Sequence, residues 1–381
     1  MNFGLSEDLI ILRDAIRKFA EDEIAPHAME LDREEKFSVD ITQKMGEMGL
    51  FGMYVPAEYG GQGMDALSYV IAMEELARVD GSQAATVTAH NSIGVGPILG
   101  FGTEEQKQKY LPKMCSGEML WGFGLTEANA GSDSRGTQTT AKKDGDEWVI
   151  SGSKIFITNV SNPLAGGLTV QAKTGEKDGK PELTCFLVEK DAPGLSVKTM
   201  HGKLMWRASD TAEVYLDNVR VKADAVIGEI GKGSSQMLTA LDAGRLGIAA
   251  MGLGAAQGAF EKAVAYSKER KQFGKSICKF QGISFKLADM AMEIDVARSY
   301  LYQAARMKDA GVPFTKEASI AKLYCTEVAG RVTDWAIQVH GGYGLMQEYD
   351  VERFWRDQRI LQIGEGSSEV QRIIIARQLG C

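Results

Sequence analysis

The chain places a carboxylate, Glu365, between two glycines in IGEGSSE (363–369), after an apolar stretch and just before a helix-like run. Glycines bare the backbone, so a flat ligand can approach the acid without meeting a Cβ. A carboxylate buried against such a ligand is pushed toward neutral pKa and becomes a usable proton acceptor. The competing reading is a solvated acid at a helix N-terminus, worth about 0.3–1 kcal/mol. Two further segments carry polar groups around small residues. FGLTEANAGSDSRG (123–136) joins a strand-like run to a turn containing Gly131 and Gly136, with Thr126, Ser132 and Asp133 free to make contacts. Backbone amides and hydroxyls in such a turn suit phosphates or the polar edge of a heterocycle. QVHGGYGLMQEYDVERFWRD (338–357) reads alone as a helix C-cap and turn, and RKQFGK (270–275) as a basic loop around Phe273.

Other chemistries find little support. GLGAAQG (252–258) has the wrong glycine spacing for a dinucleotide fingerprint and follows a helical stretch, so close helix packing explains it better. GKGSSQ (231–236) lacks the first glycine of a phosphate loop and reads as an interdomain turn, and no GxSxG elbow is present. Five cysteines, far apart and never CxxC, read as free thiols in a reducing cytoplasm, and four scattered histidines make a metal site unexpected. A net charge of -8 argues against nucleic acid. No apolar run approaches the roughly 18 residues of a membrane span, and the first 20 residues lack a signal-peptide pattern.

At 381 residues, two or three domains are expected. Up to about residue 118 helical spacing dominates: Leu9, Leu12, Ile16 and Phe19 recur at intervals of three and four behind a Ser6 N-cap. The same spacing runs through ALSYVIAMEELARV and EEQKQKYLPKM. From 119 to 228 the texture is strand-like, with DEWVISGSKIFIT, LTVQAKT, LTCFLVEK and TAEVYLDNVRV separated by turn residues. In the last, Ala212, Val214 and Leu216 alternate with polar residues, as a half-buried antiparallel strand requires. From 229 to 381 helices return, one carrying Leu287, Met290, Ile294, Ala297 and Leu301 on one stripe and ending at Gly311. The expected architecture is α+β and multidomain: an all-α domain (1–118), an antiparallel β domain (119–228) and a C-terminal four-helix bundle (229–381).

Taken together, the segments resemble the acyl-CoA dehydrogenase family. GLTEANAGSD fits that family's first signature, and Q-x-x-GG-x-GL-x-x-E-x4-R-x3-D, from Gln338 to Asp357, fits the second. KIFITN (154–159), ERKQFGK and IGEGSSE stand where the family keeps flavin and catalytic segments. The resemblance spans essentially the whole chain and implies an FAD-dependent α,β-dehydrogenase of acyl-CoA, with Glu365 as base. By likeness, Phe123, Leu125, Thr126, Gly131 and Ser132 line the flavin on one side, and Phe156, Ile157 and Thr158 on the other. Many relatives carry Trp at the Phe156 position, which implies a modest change in flavin exposure. Arg270, Gln272, Phe273 and Gln281, with Gln338, Gly341, Gly342, Ser367 and Glu369, match positions that hold the adenosine and diphosphate half in a neighbouring subunit. That implies a homo-oligomer, a tetramer by family likeness. Ser132, Asp242, Arg245 and Gly366 fall to the substrate, Asp242 and Arg245 at its CoA end and at a helix start. A Ser368–Gln371 capping box is expected to fix where Glu365 points.

Two departures from the family pattern bear on function. Some relatives carry the base in a segment like LDAGRLGIA (241–249), where this chain has Gly244 and thus no second candidate. Gly364 replaces a bulky residue that straight-chain enzymes often hold there, which implies a branched or ring-bearing acyl group. Around 83–96, Ala85 and Ala89 leave room for the acyl tail, and no arginine is present to bind a second carboxylate. The expected electron acceptor is an electron-transferring flavoprotein. Enoyl-CoA reduction or an oxygen-dependent oxidase remain open on the same residues, and a catalytically silent scaffold and a nicotinamide enzyme are the readings from other classes.

Overall fold

The computed structural model describes residues 3–381. Its N-terminal helices are α1 (Glu7–Phe19), α2 (Ala25–Glu34), α3 (Val39–Glu47), α4 (Ala66–Ala77), α5 (Gly81–Ala89), α6 (Gly96–Phe101) and α7 (Glu104–Cys115). Ser6 caps α1 as expected, its Oγ accepting from the Leu9 amide. The α4 segment differs from expectation, because it is buried on every side rather than along one stripe. A helix that is apolar all round belongs at the centre of a structure, and α4 is sandwiched between α1 and the C-terminal bundle. Between α5 and α6, residues His90–Val95 form a π-helical turn, a local irregularity that often accompanies functional sites.

The strands are β1 (Leu120–Gly124), β2 (Thr140–Asp144), β3 (Glu147–Thr158), β4 (Ala165–Lys177), β5 (Lys180–Glu189), β6 (Leu195–Thr199), β7 (Thr211–Lys222) and β8 (Val226–Ile227). They form one sheet in the order β6-β7-β3-β2-β4-β5-β8, with β1 added against β4. Most pairs are antiparallel, but β1 runs parallel to β4, and β2 touches β4 in parallel at one position. The alternation read in β7 holds for Ala212, Val214 and Leu216, then changes phase. Asn218 adopts φ 53, a register shift follows, and Val219 and Val221 become the buried residues. One extra residue moves the apolar set to the other parity.

Helix α8 (Gly233–Glu269) opens the bundle, followed by the hairpin β9 (Lys271–Gln272) and β10 (Lys275–Ser276). The bundle continues with α9 (Gln281–Asp309), α10 (Thr315–His340), the short α11 (Val351–Asp357) and α12 (Ser368–Gln378). GLGAAQG lies in α8 as a packing surface. A Cβ on Gly254 would fall 2.2 Å from the Glu74 carbonyl oxygen, and one on Gly258 would fall 2.1 Å from that of Arg78. These glycines let α8 lie against α4. On α9 the predicted stripe is buried at Met290, Ile294, Ala297 and Leu301, with Leu287 packed at its margin. Among the described residues no helix is long and apolar enough to cross a membrane.

Candidate active site

Glu365 lies in a tight loop between a 3₁₀ turn (Gln358–Gln362) and α12, with φ 51 at Glu365 and φ 93 at Gly366. The left-handed region is free for glycine but costs a glutamate about 1 kcal/mol, so surrounding contacts must hold it. They are present. The Gly366 carbonyl accepts from Lys322 Nζ at 2.7 Å and from Gln371 Nε2 at 3.0 Å. The expected Ser368–Gln371 box is not formed, because the helix begins one residue too early for it. Ser367 is the N-cap, accepting from the Val370 amide, while Ser368 Oγ donates to Glu327. The Gln371 amide turns back onto the Glu365 loop instead.

The Glu365 carboxyl points at α8. Its Oε2 lies 2.1 Å from where a Cβ on Gly244 would stand, so Gly244 is required for the acid to occupy this place. Although the residue as a whole is half-buried, Oε2 is sealed from solvent and has no hydrogen-bond partner among the described residues. Burial pushes the carboxyl up to about 7, against the opposing pull of Lys322 and Arg245. Arg245 is buried and donates from Nη1 to Asp242, while its Nε has no partner among the described residues. Both residues sit well inside α8, near Glu365, not at a helix start.

The β-domain segments approach from the other side. Lys154 Nζ, fully buried, bonds Glu127 Oε1 at 2.7 Å and the Leu125 carbonyl at 3.2 Å. Glu127 also accepts from the amides of Gln138 and Thr139, and the Ile155 amide donates to the Thr126 carbonyl. The 123–132 and 154–159 segments are thereby locked together. A register shift between Lys154 and Ile157 throws Phe156 outward at φ 63, with 63% of its surface exposed. A large aromatic residue held in that conformation and left bare is a strained platform of the kind found at binding sites. Thr126 and Thr158 are partly exposed beside it, and Gly131 and Ser132 are open. Phe123 and Leu125 are largely buried. Ile157 corrects the expectation: its side chain faces the sheet core, leaving only its backbone to meet a ligand. Helix α5 and its π-turn join this wall to the acid. Asn159 donates to the Thr86 carbonyl, the Trp121 amide donates to His90 Nδ1, and Ser92 Cβ lies 3.5 Å from the missing Gly244 Cβ. Ala85 is packed in the core, whereas Ala89 is partly exposed.

At the end of the bundle, Arg270, Gln272, Phe273, Gln281, Gln338, Gly341 and Gly342 are all exposed. Phe273 (φ 50) and Gly274 (φ 78) form the tip of the β9–β10 hairpin, where Phe273 is 94% exposed. The Arg270 guanidinium lies 5.5 Å over the Tyr343 ring, joining the hairpin to the 338–343 loop. Glu369 is exposed on the first turn of α12.

The charged end of the second signature does something else. Arg353 on α11 bonds Asp80 at 2.7 Å, Asp350 at 2.6 Å and the Val79 carbonyl. Arg356 bonds Asp32 at 2.7 Å, and Asp357 accepts from the Trp206 amide at 2.8 Å. These residues bolt the bundle to the N-terminal helices and to the loop before β7. Sequence reasoning missed this bolt, the Lys154–Glu127 pair and Lys322. The available signal was a charge in an otherwise apolar run, as in ASIAKLYC, which periodicity treats as noise.

Comparison with known proteins gives three matching family models. The chain matches the models of the acyl-CoA dehydrogenase N-terminal domain over residues 6–118, middle domain over 122–219 and C-terminal domain over 231–380. A probable acyl-CoA dehydrogenase of Bacillus subtilis is 50% identical over 380 residues, covering 100% of both chains. The Etf-complex subunit of a caffeyl-CoA reductase from Acetobacterium woodii is 40% identical, covering 98% of each. Butyryl-CoA dehydrogenase from Megasphaera elsdenii superposes with TM-score 0.96 at 42% identity, over 100% of both chains. A glutaryl-CoA dehydrogenase from Mycobacterium smegmatis in complex with FADH2 gives TM-score 0.94 at 31% identity, over 98% of this chain and 95% of that one.

Proposed function

Because this chain belongs to the acyl-CoA dehydrogenase family, we propose that Glu365 is the base that removes the α-proton of a bound acyl-CoA thioester, giving the α,β-enoyl product. The enzyme is an FAD-dependent oxidoreductase, and the bound flavin supplies the acceptor for the β-hydrogen. The observation that carries the assignment is the sealed, partnerless Glu365 Oε2 on a carboxyl raised to about 7. A base of that pKa is half ionised at neutral pH and suited to a weakly acidic carbon. The Glu365 amide has no acceptor in the protein among the described residues and is available to the thioester oxygen, where charge develops.

The residues present fit the cofactor. Phe156 offers a bare aromatic face, Thr126, Thr158 and Ser132 offer hydroxyls beside it, and Phe123, Leu125 and Gly131 complete that wall. Arg270, Gln272, Phe273, Gln281, Gln338, Gly341 and Gly342 hold the diphosphate and adenosine of a second subunit's FAD, Arg270 through its planar charged fork, with Ser367 and Glu369 at the adenine end. The site is then completed by oligomerisation, and the assembly is a cytoplasmic homotetramer. Ser132, Asp242, Arg245 and Gly366 serve the substrate.

At Gly364 a Cβ would meet nothing closer than 3.5 Å, so this side of the loop is open space and a branched or alicyclic short to medium acyl group is the preferred substrate. Turnover on 2-methyl-branched and cyclohexane-carboxyl thioesters should exceed that on butyryl-CoA, and a clear straight-chain preference contradicts it. The electron acceptor is an electron-transferring flavoprotein. The likeness to a reductase subunit that works in an Etf complex supports a second reading, enoyl-CoA reduction on the same residues. Anaerobic bleaching of the flavin absorption by a panel of acyl-CoA thioesters tests cofactor, reaction and direction together. Saturated thioesters are expected to bleach it, and bleaching by none of them overturns the dehydrogenase reading.

A further inference from the structure

Lys322 on α10 is among the largest fully buried side chains of the protein, with Ala318, Ala321 and Cys325 around it on the same helix. Burying an ammonium costs several kcal/mol unless something specific is gained. No carboxylate lies within salt-bridge distance of Lys322 among the described residues; its hydrogen bond is the 2.7 Å contact to the Gly366 carbonyl. That carbonyl belongs to the residue after Glu365, and Gln371 Nε2 occupies its other side at 3.0 Å. Both acceptor positions of one carbonyl are thus filled by buried donors, which fixes the orientation of the Gly366–Ser367 peptide plane. The preceding residue holds a left-handed φ of 51 that a glutamate does not choose unaided.

We propose that Lys322 is a positioning residue of the reaction, which clamps the Glu365–Gly366 loop so that the carboxyl stands over Gly244 and whose positive charge sets the protonation of that carboxyl. The inference rests on Glu365 being the base. The charged and titratable groups around Glu365 are known from every side: Lys322 from α10, Arg245 with Asp242 from α8, Tyr69 from α4 and Tyr54 from the loop before it. Glu327 and Glu369 face Lys322 rather than the acid. Of these, Lys322 and Arg245 hold the Glu365 carboxyl down against burial, Lys322 with the larger effect. Removing the charge should therefore raise the pKa of the base.

The test compares the native holoenzyme with Lys322→Met, Lys322→Gln and Lys322→Arg. FAD content and melting temperature report folding, and kcat/KM on butyryl-CoA with an artificial electron acceptor is followed against pH. Lys322→Met and Lys322→Gln should move the acid limb upward by about one pH unit, with a loss of activity that shrinks as pH rises. Lys322→Arg should keep the limb in place. A folded, yellow Lys322→Gln protein with an unshifted limb overturns the proposal, even if it is slower, because a merely structural lysine would lower the rate at every pH alike. Carbon-13 NMR of glutamate-labelled protein, with Glu365 assigned by difference from Glu365→Gln, reads the same shift without turnover. An enzyme that turns over no thioester thus defeats the base assignment while leaving the Lys322–Glu365 coupling separately measurable.

Discussion

At the scale of single residues, the site depends on one acid placed where one side chain is missing. A methyl group at position 244 would have to occupy space 2.1 Å from Glu365 Oε2, so Gly244→Ala must displace the carboxyl. A displacement near 1 Å from reacting geometry lowers rates by about 100-fold, and kcat/KM of a Gly244→Ala protein that keeps its FAD should fall by at least that much. The raised acid also has a consequence for stability. Its pKa rises from the ordinary 4.5 to about 7 on folding, so the folded chain holds this proton more tightly than the unfolded one. The group's contribution is present below about 4.5 and is lost as pH rises through about 7. Glu365→Gln should therefore melt higher than the native protein at pH 8 and at the same temperature near pH 4.5. Equal melting temperatures at both pH values would mean the acid is not buried as described. Glu365 could be picked out in the sequence because a charge between two glycines is a local pattern, and Gly244 only through the family resemblance. Lys322 could not, since its value comes from a carbonyl 44 residues away.

At the scale of elements, two buried devices present the site. The Lys154–Glu127 pair ties β3 to the 123–132 turn, and the shift in β3 just after Lys154 turns Phe156 out. Removing one member of a buried pair leaves the other charge unpaired, at a cost of about 3–5 kcal/mol. Lys154→Met should lose stability of that order in denaturant titrations and release FAD on gel filtration. A Lys154→Met protein that retains both would show the pair to be dispensable. Strands β3, β4, β5 and β7 were legible from β-branched runs and turn residues, whereas the short β2, β6 and β8 were not. The strand-like run at β1 was read too, but not its parallel pairing with β4, because five residues carry no record of which edge they join. The capping error at α12 was one residue, enough to exchange the roles of Ser367 and Ser368. The chain-wide burial of α4 escaped the periodicity argument because a helix buried all round has no stripe to detect.

At the scale of the whole molecule, α11 holds three parts together. Arg353 reaches Asp80, itself the N-cap of α5, and Arg356 reaches Asp32 on α2. The helix that carries the second signature's arginines therefore acts as a bolt, while Gly341 and Gly342, just past the end of α10, lie exposed on the bundle end. Arg353→Met would leave Asp80 buried without its cation, while Asp350 keeps Lys262, and a loss of about 3–5 kcal/mol is expected. Because no charge of the bolt is among those acting on the Glu365 carboxyl, the pH profile of the surviving enzyme should be unchanged, and a shifted profile would show the two to be coupled. The helix–strand–helix order was readable from texture alone. Which surfaces meet was not, since pairs such as Asp80 and Arg353, 273 residues apart, leave no local trace.

The most direct measurement is the rate of the reductive half-reaction in Glu365→Gln, followed by stopped-flow absorbance with a saturated acyl-CoA thioester. The substitution keeps size and hydrogen-bonding capacity but removes the base, and loss of a general base lowers rates by about 10²–10⁴-fold. A yellow, folded Glu365→Gln enzyme slowed by that amount is the predicted result. The same enzyme reduced as fast as the native one would contradict the assignment of Glu365.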